Sequence, residues 1–157
     1  MACTLSPLLS VDACSCYEYE QAKKSLPAIT IKQPFASLVG WGVKTIEVRS
    51  SNLNYRGPLI ICSGKKVFDG VSLLMPNSLE YYRQYKSIMP QGQAIAVVEL
   101  VDCRPMKPKD ADLSFVPYSE GLYSWILRDA TSIEPFEVSG NIGIFHLKQN
   151  RIVFRHF

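Results

Sequence analysis

Residues 42–49 read G-V-K-T-I-E-V-R, and they constrain the fold more than any other stretch of the chain. Three charges of both signs, Lys44, Glu47 and Arg49, fall within six positions and are interleaved with Val43, Ile46 and Val48. Charges are costly to bury unless they are paired. A fold that takes this segment into its interior as a strand must therefore open a cleft beside it; the competing reading is an ordinary strand with a solvated outer face. In a regular strand Thr45, Glu47 and Arg49 share one face, and Ile46 and Val48 share the other. Lys44 has the wrong parity to join Glu47 and can reach it only from the preceding turn.

The flanking sequence predicts short strands with two helices between them. Residues 28–32 alternate as A-I-T-I-K and read as a strand. Pro34 suits a first helical position, and Phe35, Leu38 and Val39 follow at helical spacing until Gly40 and Gly42. Residues 58–62 (P-L-I-I-C) read as a buried strand leading into Ser63, Gly64, Lys65 and Lys66. That four-residue stretch reads as a small-residue turn whose amides can meet an anion. Residues 77–88 predict the longer helix, with Asn77 and Glu80 at capping-box spacing. Further strands are expected at 93–103, 123–127, 141–147 and 152–157. Nothing divides the chain after residue 27. Residues 1–26 read as an N-terminal extension and 27–157 as one α+β domain, a small, partly open β-barrel with one short and one longer helix.

Composition narrows the possible functions. The chain has 157 residues, 47% hydrophobic and 20% charged, which suits a globular domain with a real core. No apolar run is long enough to cross a bilayer, and no secretory signal opens the chain, so a cytoplasmic location is expected, with the nucleus as the alternative. Five cysteines, an odd number, fit reduced thiols. Cys14 and Cys16 lack the spacing of a zinc knuckle, so neither a metal nor a cofactor is expected. The formal charge of +3 is unevenly spread. Residues 22–66 hold eight basic residues against the one acid Glu47, the pattern of an electropositive face suited to phosphates or a nucleic acid.

Several segments in order resemble the ASCH (activating signal cointegrator homology) family of the PUA-like superfamily. They are I-K-Q-P-F-A-S-L at 31–38, G-V-K-T-I-E-V-R-S at 42–50, Y-R-G-P-L-I-I at 55–61 and S-G-K-K at 63–66. Weaker pieces are the strand at 94–101, Trp125, and P-F-E-V-S-G-N-I-G-I-F at 135–145. The resemblance implies a PUA-like β-barrel with a cleft beside the G-x-K-x-x-E-x-R motif, and RNA or a nucleotide-like ligand as partner. It also implies an alternative activity. Some small bacterial members are amidohydrolases that deacetylate acetylcytidine, with the motif lysine as nucleophile assisted by a threonine and a glutamate. Lys44 matches that lysine, and Glu47 stands where those enzymes carry the threonine.

Two functions follow as expectations. In a binding module, Arg49, Lys65 and Lys66 meet phosphate, Ser63 offers a ligand contact, Gln33 reads a base edge, and Phe35 and Trp41 stack a base. The ordinary roles of these side chains are core packing for the aromatics and backbone hydrogen bonding for Gln33. In an amidohydrolase, Lys44 attacks and Glu47 acts as base. Such an attack requires a neutral amine, hence a lowered pKa, whereas a neighbouring carboxylate favours the charged form. His146, in an alternating apolar strand without an evident partner, reads as packed or at an edge.

Overall fold

The computed structural model describes residues 24–67 and 83–156. The N-terminal extension before residue 24 and residues 77–82 of the expected longer helix lie outside the described residues; residues 83–85 are helical. Six strands form one mixed sheet: β1 (Ser25–Gln33), β2 (Ile46–Arg49), β3 (Gly57–Val67), β4 (Gln93–Pro105), β5 (Tyr123–Glu137) and β6 (Ile144–Lys148), in the spatial order β2-β5-β4-β3-β1-β6. Neighbours are antiparallel except β1 and β3, which run parallel. The sheet does not close by a ladder, yet it curls far enough for Arg49 on edge strand β2 to donate to the Thr30 carbonyl of β1, at 2.9 Å. The α+β, partly open barrel expected from the sequence is the fold observed. No helix among the described residues is long and apolar enough to cross a membrane.

Alternation along β1 and β3 sends their apolar side chains into two cores. Ile29, Ile31, Leu59 and Ile61 point into the main core. Ala28, Ile60 and Cys62 point the other way, into a second core with Ile133 and Val138, against which Phe145 and Leu147 of β6 pack. Both strands are buried on both faces at their centres; on β1 the face of Ala28 becomes polar further along, where Thr30 and exposed Lys32 line a cleft. Burial also pushes the Cys62 thiol up to about 12, which keeps it a packing group.

Helix α1 (Phe35–Gly40) plugs the barrel with Phe35, Ala36, Leu38 and Val39. Pro34 sits at its N-cap, one position before the first helical residue, behind a cis Gln33–Pro34 peptide. Beyond the helix, Gly42 takes a left-handed φ of 72°, a conformation that costs glycine little. The chain thereby doubles back, and the amides of Val43 and Lys44 both donate to the Leu38 carbonyl, at 2.9 and 3.0 Å. This turn drives the Lys44 side chain inward, ahead of β2.

Three elements differ from the sequence reading. Residues 63–66 do not turn; β3 runs through them to Val67. The ladder continues because the β1–β3 register slips between Ile31 and Gln33, while Ser63 Oγ bridges to the backbone of Gln93. The strand expected at 123–127 extends to Glu137, with its register to β4 broken three times. Residues 152–156 form no strand, and residue 157 lies outside the described residues; Phe154 makes an isolated bridge to Ile133.

A short helix α2 (Ala111–Ser114), led in by a 3-10 turn at Pro108–Asp110, packs beside β2. Its anchor is Asp110, which is buried and accepts from Arg104 Nη1 and Nη2 (2.7 and 2.9 Å), the Lys107 amide (2.8 Å) and Ser124 Oγ (2.8 Å). The Arg104 hydrogen bonds, helped by the Lys107 amide and Ser124, hold its carboxyl well below the usual carboxylate range against the opposing effect of burial. Asp110→Asn is expected to cost about 2–4 kcal/mol in urea unfolding at neutral pH, since it strips charge from a buried pair. Because the folded pKa lies below the unfolded one, the contribution of Asp110 is complete above about pH 3.9 and is lost as pH falls towards the folded value. Wild type and variant should therefore converge in stability on acidification; a constant gap would place the effect elsewhere.

Candidate functional site

Lys44 is 2% exposed, and its ammonium lies inside the barrel mouth. Nζ donates to the Ile46 carbonyl (2.5 Å) and the Ser114 carbonyl (2.6 Å) and pairs with Glu47 Oε2 at 3.2 Å. It also lies 5.4 Å from the centre of the Phe35 ring, a cation–π distance. Glu47, 7% exposed, uses its other oxygen to accept from Arg49 Nε at 3.0 Å. One carboxylate thus sits between two cations, and Arg49 Nη2 continues across to Thr30. Lys44 reaches Glu47 from the preceding turn, as the strand parity requires.

Burial lowers the pKa of Lys44 from its ordinary value; Glu47 opposes this through charge and hydrogen bond, and the Arg49 charge adds a smaller push downward. The acceptor count identifies the form that fits this geometry. An ammonium offers three protons, and three oxygens stand around Nζ within 3.2 Å. A neutral amine would turn its lone pair onto one of those oxygens. The arrangement suits the charged form, tied to α2 by the Ser114 carbonyl.

Above this floor lies a cleft of about 450 Å³, lined by Thr30, Ile31, Lys32, Phe35, Lys44, Glu47, Val48, Arg49, Val116, Pro117 and Leu122. Its walls are largely apolar. Its charged groups are three cations and one carboxylate, so it carries a positive excess, with Lys32 exposed.

The residues singled out from the sequence divide into two sets. Lys44, Glu47, Arg49 and Phe35 meet in the cleft. Gln33 is buried and turned inward: Nε2 donates to Ser37 Oγ (2.8 Å) and the Pro90 carbonyl (2.7 Å), and Oε1 accepts the Ser37 amide (3.0 Å). Ser63 is likewise buried, its Oγ held by Gln93. Trp41 lies outside the cleft lining, 42% exposed, with its ring 5.3 Å from that of Tyr85. Lys65 and Lys66 are exposed near the end of β3. His146 lies on edge strand β6, opposite Pro27. Sequence reasoning missed Lys32, whose signal was its outward parity in the A-I-T-I-K alternation. It also missed Val116, Pro117 and Leu122, which no local pattern marks.

A profile of the ASCH domain matches residues 29–137. The chain belongs to the ASCH domain family. Among solved structures, the ASCH protein of Zymomonas mobilis superposes with a TM-score of 0.53 at 14% identity, covering 80% of this chain and 90% of its own. A tyrosine-to-phenylalanine variant of that protein gives 0.50 at 14% identity, over 80% and 92%. At this identity the likeness shows a shared fold. No curated protein matches the chain in sequence.

Replacing Lys44 tests the floor. Lys44→Met leaves a buried Glu47 with Arg49 alone and is expected to lower stability by about 3–5 kcal/mol, measured by denaturant unfolding. Lys44→Met with Glu47→Gln should recover a large part of the loss, because no buried charge is then stranded. Equal losses in the single and double variants would contradict the paired floor.

Proposed function

We propose that this ASCH domain binds RNA or a nucleotide-like ligand in the cleft built around Lys44, Glu47 and Arg49. The observation that carries the reading is the union of charge excess and apolar wall in one cavity. Glu47 offsets only one of the two cations beside it, so the floor remains net positive, and exposed Lys32 adds to it. A phosphate suits that charge, and Arg49 offers planar donors for it; Nη1 makes no hydrogen bond among the described residues. Phe35, Val116, Pro117 and Leu122 supply the apolar surface that a flat base requires. Membership of a family associated with RNA binding points the same way.

Hydrolysis of an acylated nucleoside is the second reading, and the lowered pKa of Lys44 favours it. Attack on a carbonyl needs a free lone pair on Nζ. A ligand would first have to draw Nζ away from the Ile46 or Ser114 carbonyl, both of which belong to the backbone.

Calorimetric titration with uridine and adenosine monophosphates checks the binding reading. Arg49→Ala is expected to weaken binding about tenfold or more, the worth of a charge-assisted hydrogen bond. Lys32→Gln, at an exposed site, should weaken it less and flatten its salt dependence. Nucleotide affinity that neither variant changes would remove the cleft as the site. In parallel, release of acetate from acetylcytidine by wild-type protein would replace binding by hydrolysis; no release is expected.

A further inference from the structure

The cleft does not end the positive surface. Lys32 lies on its rim, in the stretch where β1 and β3 slip register, and its Cα is only 3.7 Å from where a side chain on Gly64 would begin. The adjacent Lys65 and Lys66 are exposed, and the Lys65 stem packs on Gly92. Gly92 belongs to the turn whose Pro90 carbonyl is held by Gln33, and the same segment carries Tyr85, Arg83 and Lys86. Tyr85 meets Trp41 edge to face, with an interplanar angle of 72°. Lys32, which lines the cleft, is thus followed by exposed Lys65 and Lys66 on the adjoining strand, and the segment leading to Gly92 carries exposed Arg83 and Lys86 and, through Tyr85, meets the exposed indole of Trp41; Glu137 is the acid lining the groove at Lys65.

Trp41 is the informative member. It follows a helix whose first five residues are all buried, yet it remains 42% exposed. An exposed aromatic on a surface that also presents cations is what unpaired bases and their phosphates require, and stacking of this kind accepts any base. The cleft can take one base, while the cations continue well past it.

We propose that Trp41, steadied by Tyr85, and the cations at the ends of β1 and β3 extend the cleft into a path for single-stranded nucleic acid, so that the ligand is a strand of several nucleotides. This rests on the reading of the cleft as a nucleotide site. It adds a stacking platform outside the cleft and explains why the basic residues extend past Arg49.

The test uses the full chain, a labelled oligouridine of about ten nucleotides, within the range such sites span, and uridine monophosphate as the short probe. Trp41→Ala and the pair Lys65→Gln with Lys66→Gln are expected to weaken oligouridine about tenfold each while leaving the monophosphate unchanged. The lysine pair should also reduce the magnitude of the salt slope, by about 0.7 for each phosphate no longer neutralised. Oligouridine should quench the fluorescence of exposed Trp41, a signal absent in Trp41→Phe, where buried Trp125 remains. Monophosphate binding that depends on Arg49, with oligouridine no tighter and indifferent to Trp41 and the lysines, would overturn this path and leave the cleft standing. Oligouridine binding that is lost in Trp41→Ala but unaffected by Arg49→Ala would keep the path and remove the cleft from it. Absence of oligouridine binding at low salt would overturn the path outright.

Discussion

The Lys44 ammonium is the group on which the site depends. Its three oxygen partners are the Ile46 carbonyl and the Glu47 carboxylate of β2 and the Ser114 carbonyl at the end of α2, so one side chain ties β2 to α2. The Thr45 amide, which donates to the Leu113 carbonyl at 3.2 Å, makes a second tie at the same junction; the buried charge itself is tolerated because its protons are satisfied. The geometry is reached through a backbone device. Left-handed Gly42 ends α1 and returns Lys44 beneath the helix, where two amides share the Leu38 carbonyl. The Asp110 cluster then holds the start of α2, at whose end the Ser114 carbonyl faces Lys44.

The pairing also gives the cleft its charge. Had each cation its own acid, the cavity would be neutral. Here Glu47 is shared, with Lys44 on one oxygen and Arg49 on the other, and the unmatched positive charge lies at the surface, where a ligand's anion can take it up. Sharing places Arg49 as well: fixed at Nε by Glu47 and at one terminal nitrogen by Thr30, its guanidinium is pre-oriented before a ligand arrives. Pre-orientation reduces the ordering cost of binding.

Much of this was legible in the sequence, and the limits have physical reasons. The interleaved charges of residues 42–49 left two readings, a cleft or a solvated strand face, and strand parity allowed Lys44 to approach Glu47 only from the turn, because both inferences use only local geometry and the cost of burial. The doubly buried β3 was readable as an unbroken apolar run, although its continuation through residues 63–66 was not. Ser, Gly and two lysines look like a turn, and only the slipped β1 register and the Gln93 bridge make them strand. Gln33 and Ser63 resembled ligand-binding groups because their acceptors, the carbonyls of Pro90 and Gln93, lie 57 and 30 residues away. The far half of β5 was hidden by Arg128 and Asp129, which read as a strand end; Asp129 takes a φ of 52° and the ladder resumes beyond it.

Helix α1 explains why the two aromatic positions near the motif have different fates. Phe35 and Trp41 stand six residues apart, at its start and just past its end. The helix packs on β1 and β3, with Phe35 of its first turn lining the cleft and Trp41, its C-cap, outside the cleft lining. Phe35 is committed to the core and to the Lys44 cation, which leaves only part of its ring for a ligand. Trp41, the C-cap residue just before left-handed Gly42, stays 42% exposed and meets Tyr85 edge to face. Packing thus consumes the aromatic at the start of α1 and leaves the one at its end exposed, which is why the proposed strand path runs through Trp41 rather than Phe35.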